Sequence, residues 1–127
     1  MEKDRDNKST GKLGEDVASA FLTARGFRIL QRNFCCKGGE VDIVARDPRD
    51  KSLVFVEVKA RRNLSYGEPQ LAVTPFKQRQ ISKAALTYLA KNQQIDSIAR
   101  FDVIAILLDE GGRHKVDHIV NAFELAY

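Results

Sequence analysis

The chain has 127 residues, 43% of them hydrophobic and 30% charged, with a net charge of +4, which suits one domain around a single core. No apolar run approaches the roughly 20 residues that cross a bilayer, and Met1 to Lys12 is polar and of mixed charge, unlike a signal peptide. These features exclude membrane-embedded and exported classes and predict a cytoplasmic protein, with residues 1–11 a flexible arm and residues 12–127 one domain.

In chain order, Leu13, Val17, Phe21 and Ala24 recur at helical spacing and predict a helix from Gly14 to Arg25, closed by Gly26. Three strands follow: Phe27 to Phe34, Glu40 to Arg46, and Leu53 to Ala60. The Lys37-Gly38-Gly39 and Asp47-Pro48-Arg49-Asp50 turns make them an antiparallel meander. Cys35 and Cys36, the only cysteines, are adjacent in sequence. They suit neither a disulfide nor a zinc site and read as idle thiols. After an irregular stretch, Thr74 as N-cap and Pro75 as first helical residue open a helix to Lys91. Its core side carries Ile81, Ala84, Ala85, Tyr88 and Leu89. Phe101 to Leu108, apolar almost throughout, reads as a strand covered on both faces. Gly111-Gly112 then turns it into a short strand, Lys115 to Val120. The long helix between the third and fourth strands predicts a right-handed crossover joining them in parallel. The expected fold is α/β, a mixed sheet with helices packed against it.

The second and third strands carry the chemistry. Val41, Ile43 and Ala45 share one face of the second strand, and Val54, Val56 and Val58 one face of the third. The opposite faces begin apolar, at Val44, Leu53 and Phe55, and end charged, at Asp42 and Glu40 on one strand and Glu57 and Lys59 on the other. A symmetric turn about Arg49 and Asp50 sets Val44 against Phe55, Asp42 against Glu57 and Glu40 against Lys59, with β-carbons about 5 Å apart. Two carboxylates so placed repel by about 3 kcal/mol at an effective dielectric of ~20. A shared proton offsets this, and a divalent cation such as Mg²⁺ or Mn²⁺ does so better. With the Lys59 ammonium on the same face, the layout suits attack of water on a phosphodiester. The plainer alternative makes Glu57 and Lys59 half-exposed strand residues and Asp42 a cap on the glycine turn.

Basic residues cluster at Lys59, Arg61 and Arg62 and again at Lys77, Arg79 and Lys83. Such clusters contact phosphates or form a solvated face.

Gly14-Glu15, Gly39-Glu40-Val41-Asp42-Ile43-Val44 and Val54-Phe55-Val56-Glu57-Val58-Lys59-Ala60-Arg61 resemble the signatures of the YraN family of bacterial proteins. Tyr66-Gly67, Arg100-Phe101-Asp102-Val103 and Asn121-Ala122-Phe123 extend the resemblance over nearly all of the chain from Lys12 onward. That family is placed in the PD-(D/E)XK nuclease superfamily, near Holliday-junction resolvases. The resemblance implies a restriction-endonuclease-like αβββαβ core. It implies Asp42, Glu57 and the Val58 backbone carbonyl as ligands of Mg²⁺ or Mn²⁺, with Glu15 binding directly or through water. It also implies that Lys59 orients the water or steadies the phosphorus, with 5′-phosphate and 3′-hydroxyl products. Val41 stands where the superfamily pattern has proline, a position at which its members vary.

Several residues keep two readings. Glu15 also suits the first turn of a helix, by its dipole. Lys77 and Gln78 face the site or form a solvated helix start. Tyr66 shapes a substrate entrance or packs over the sheet. Asp102 supports Lys59 or pairs with Arg100 or a helix. His114 and His118 lack a third ligand and read as surface residues. The leading reading is a DNA endonuclease acting on branched or single-stranded structures. Its expected partners are nucleic acid, a second copy as in resolvases, and a DNA-processing protein. The rivals are a non-catalytic nucleic-acid-binding module and a protein-interaction adaptor.

Overall fold

The computed structural model describes residues 2–62, 73–94, 97–109 and 111–126, with residues 2–9 as backbone alone. The elements are α1 (Glu2–Ala24), β1 (Arg28–Cys36), β2 (Gly39–Arg46), β3 (Leu53–Arg61), α2 (Pro75–Lys91), β4 (Ala99–Leu108) and β5 (His114–Phe123). The five strands form one sheet in the order β1-β2-β3-β4-β5. Only β3 and β4 run parallel, joined through α2 as the crossover pattern predicts. The fold is α/β with a mixed sheet and a helix on each face, consistent with a restriction-endonuclease-like core.

Alternation along the strands divides the core in two. On one side Val44, Leu53, Phe55 and Phe101 pack with Ile81, Ala84, Ala85, Tyr88 and Leu89 of α2. On the other, Ile43, Ala45, Val54, Val56, Ile104 and Ile106 pack with Ala18 and Leu22 of α1. Each of the larger side chains buried this way contributes about 1.5–3 kcal/mol. The buried positions of α2 agree with the sequence reading, with Ser82 added. Its start is capped as expected, the Thr74 hydroxyl accepting from the Lys77 amide at 3.2 Å.

Three expectations need correction. Helix α1 starts at Glu2 rather than Gly14, so residues 2–11, expected as an arm, begin the helix. Those turns have no apolar stripe to betray them, and Asp4, Asp6, Asn7, Ser9, Thr10 and Gly11 are poor helix formers, so neither pattern nor propensity signals the helix there. The buried side of α1 is also rotated from the one expected. Gly14, Ala18 and Leu22 face the sheet, whereas Leu13 is 42% exposed and Ala24 is exposed. A Cβ on Gly14 would stand 2.6 Å from that of Ala60, so this glycine lets α1 lie directly on β3. Finally, Val41 joins the α2-side cluster instead of the side holding Ile43 and Ala45. The exchange of faces lies beside Asn33, whose φ of 54° breaks the regular extension of β1 between the Arg32–Ile43 and Phe34–Val41 pairs.

Candidate active site

β2 and β3 pair from Arg46–Leu53 through Val44–Phe55 to Ile43–Val56 and no further, while β3 stays paired with β4 as far as Arg61. The Val44–Phe55 register is the expected one. Beyond it the two strands part, so Asp42 does not sit across from Glu57 in a ladder, nor Glu40 from Lys59. In place of a ladder rung, the Val58 amide donates to Asp42 Oδ2 at 2.7 Å. The N–H and C=O of one strand residue point to the same side, so the Val58 carbonyl faces this gap too.

The two predicted carboxylates therefore do converge, at the mouth of a parting in the sheet. Glu57 is only 7% exposed. Burial pushes its carboxyl up to about 8, with the Asp42 charge next in weight, against the pull of Lys77 and Lys59. Burial also raises Asp42, opposed chiefly by the hydrogen bond from the Val58 amide. Glu15 reaches the same locality from α1, held there by the Gly14 contact. Its carboxyl is raised first by burial and then by Asp42. Arg32 stands 3.9 Å from Glu15 Oε1 and 2.8 Å from Asp16 Oδ1. Glu57 Oε2 and Glu15 Oε1 are both buried without a hydrogen-bond partner. The Glu57 oxygen in particular has no donor near it among the described residues and is free to bind a hard cation.

Among the described residues no three His, Cys, Asp or Glu side chains already stand together as a ready-made ligand set. Mg²⁺ does not need one, because it keeps several waters and is held through one or two carboxylates. Asp42, Glu57 and the Val58 carbonyl are hard oxygen donors, so the residues fit Mg²⁺ or Mn²⁺ and not a softer metal.

Lys59 is half-buried, two residues beyond Glu57 on the same strand, and has no salt bridge among the described residues. Lys77 turns inward: its ammonium lies 2.6 Å from Glu40 Oε1 and 3.9 Å from Glu57 Oε1. It is thus part of the acidic site rather than of an outward basic cluster. Burial works against its charge, but the hydrogen bond to Glu40 and the Glu57 charge win and raise its pKa. Glu40 is the participant that the sequence reading set against the wrong partner. Its place two residues before Asp42 was the available signal.

The remaining candidates fall elsewhere. Gln78 donates its side-chain amide to the Val73 carbonyl at 2.9 Å, bracing the entry to α2. Arg61 is half-buried at the end of β3, and Arg62 is exposed and donates to Thr10 Oγ1 on α1 at 2.8 Å. Arg79 is exposed on α2. Tyr66 and Gly67 lie outside the described residues.

Asp102 does not support Lys59. It aligns with Val56, three residues before the Lys59–Ala105 pair. Its fully buried carboxylate accepts from Arg100 Nε at 3.0 Å, the Asn121 amide at 2.9 Å and His118 Nε2 at 2.8 Å. The pairing with Arg100 was the alternative expectation. His118 is consequently no surface residue: its side chain is 12% exposed and packs edge-on against Phe21 and Phe27.

Comparison with known proteins matches residues 14–106 to the model of a family described as "Uncharacterised protein family UPF0102". A "UPF0102 protein" of Pelobacter propionicus is 71% identical over 122 residues, covering 96% of this chain and 87% of the relative. Another, of Geotalea daltonii, is 60% identical over 96% of this chain and 94% of its own length. A more distant one, of Syntrophomonas wolfei, is 42% identical over 92% of this chain and 99% of its own. The matched region contains Glu15, Asp42, Glu57 and Lys59, and the chain belongs to the UPF0102, or YraN, family.

Proposed function

We propose that this chain is a metal-dependent nuclease that hydrolyses phosphodiester bonds of DNA, acting on branched or single-stranded structures. The observation that carries the reading is the pair of buried Glu57 and half-buried Asp42 at the parting of β2 and β3, with a Glu57 oxygen left without a hydrogen-bond partner. A protein that merely bound nucleic acid would gain nothing from burying a carboxyl whose pKa rises to about 8.

Asp42, Glu57 and the Val58 carbonyl would hold Mg²⁺ or Mn²⁺, with Glu15 beside them. When bound, such an ion makes its water more acidic and neutralises charge on phosphate oxygens. The chain's own groups do the rest. The Val58 amide fixes the Asp42 carboxylate in one orientation. Lys59 extends past Glu57 to meet a phosphate oxygen and to orient the attacking water. Lys77 pairs with Glu40, so that this acid adds less negative charge to the face the phosphate approaches. Arg61 and Arg79 supply positive charge to the strand on either side. A homodimer cutting two strands, and a DNA-processing partner protein, belong to the same proposal.

The test is a panel of labelled single-stranded, duplex, flap and four-way-junction DNAs with Mg²⁺ or Mn²⁺. Cleavage is expected to require the metal. It should fall at least about 100-fold in Asp42→Ala and Lys59→Ala while DNA binding persists. Binding without cleavage under either metal would assign the chain to the non-catalytic class.

A further inference from the structure

Beside the acidic site α2 carries an exposed aromatic that the hydrolytic chemistry does not use. Phe76 is 62% exposed and immediately precedes Lys77, the residue that touches Glu57. Its ring borders an open hollow of about 420 Å³ on the outer side of α2, shared with Arg79, Lys83, Leu86, Gly38 and Ala126. The exposed lining is mostly apolar, with Phe76 and Leu86 its only large apolar side chains, but it is far smaller than the area a stable protein interface buries. The charged members, Arg79 and Lys83, are both cations, and neither has an acidic partner among the described residues. Lys83 Nζ lies against the β1–β2 turn, 2.9 Å from where a Gly38 Cβ would be. An exposed ring with a guanidinium and an ammonium further along the same helix is the combination that receives unpaired bases: the π-face takes a base without regard to its identity, and the cations follow the phosphates.

We propose that Phe76, with Arg79 and Lys83, forms a stacking site for an unpaired base of a single-stranded segment whose backbone passes the Asp42–Glu57 site. The inference rests on the nuclease reading and narrows it, from DNA in general to substrates with a single-stranded portion. A fully paired duplex keeps its bases stacked on one another and has none to offer Phe76.

The chain contains no tryptophan, so Phe76→Trp places a lone tryptophan in the site, excited selectively over the tyrosines. The full-length F76W protein is titrated in EDTA with a single-stranded deoxythymidine oligonucleotide of about 10 nucleotides and with a blunt duplex. Quenching by the single strand well beyond that by the duplex is expected. Phe76→Ala should weaken anisotropy-measured binding of the single strand roughly 5- to 100-fold and leave duplex binding nearly unchanged. Arg79→Ala should flatten the salt dependence of binding. An F76W emission that stays constant while anisotropy shows the oligonucleotide bound overturns the stacking site. So does wild-type affinity in F76A with cleavage intact, an outcome that leaves the nuclease reading standing. Quenching without cleavage under any metal overturns the nuclease reading alone, and no binding of either DNA overturns both. Loss of self-association in F76A with single-strand binding intact would assign the hollow to a second copy and overturn the proposal.

Discussion

Glu57 ionises in the folded chain only against its surroundings, and that has a sign that can be checked. Its carboxyl titrates at about 8 when folded, against an ordinary value of 4.5. Between those values the folded chain holds a proton that the unfolded chain has released, so stability falls as pH rises through that window and levels off above it. Glu57→Gln keeps the shape and removes the titration. The variant should be more stable than the parent near pH 8, by on the order of a few kcal/mol, and less sensitive to pH across the window, keeping only what Asp42 and Glu15 contribute. Thermal melts in EDTA between about pH 5 and pH 8.5 decide it, and parallel curves for parent and variant would overturn the assignment. At this scale the sequence was partly legible. The apolar-to-charged gradient along two strands identified Asp42 and Glu57 as neighbours. It did not reveal that they meet across a gap, because a pattern-based register assumes that pairing continues. Nor did it show Lys77 turned toward Glu40, since that contact joins residues far apart in sequence.

Besides the large side chains that pack each helix onto the sheet, close backbone approach at glycines sets how near the helices lie to the site-bearing strands. Gly14 of α1 leaves no room against Ala60, and a Cβ on Gly39 of β2 would stand 2.7 Å from the Gln80 carbonyl of α2. Gly11, also in α1, has nothing within 4 Å of its Cβ position and serves as the control. Gly11→Ala should stabilise the chain by up to about 1 kcal/mol through helical preference. Gly14→Ala should destabilise it, overpacking costing about 1–3 kcal/mol, and should weaken cleavage further because Glu15 moves with the helix. Urea unfolding of the two variants side by side tests this. Equal stabilisation of both would show that α1 is not pressed against β3. Strand order and helix type were readable from periodicity. The buried face of α1 was not, because a glycine contact leaves no apolar mark and the stripe of Leu13, Val17 and Phe21 drew attention to the flank instead.

Across the whole molecule, polar groups fasten the end of the sheet away from the acids. Arg100 reaches Asp47 at 2.9 Å and Asp102 at 3.0 Å, tying the β2–β3 turn to β4. Through His118, Asp102 continues the connection to β5 and to Phe21 of α1. Asp102→Ala leaves the His118 imidazole and the Asn121 amide without their acceptor and Arg100 chiefly with Asp47, and should cost about 3–5 kcal/mol. His118→Ala, which removes one partner of several, should cost less. Urea midpoints of the two variants rank them, and a negligible loss in Asp102→Ala would show that the network carries no stability.

With one end of the sheet clamped in this way, the parting of β2 and β3 falls at the other. There a single residue has unusual leverage. The amide of Val58 is tethered to the acid of the neighbouring strand, and its carbonyl carbon bears the nitrogen of Lys59. Whatever alters the charge on Asp42 therefore pulls on the link from which the amine hangs. Acid and amine are thereby linked through the backbone of one residue, Val58, whose amide holds the carboxylate and whose carbonyl begins the peptide to Lys59.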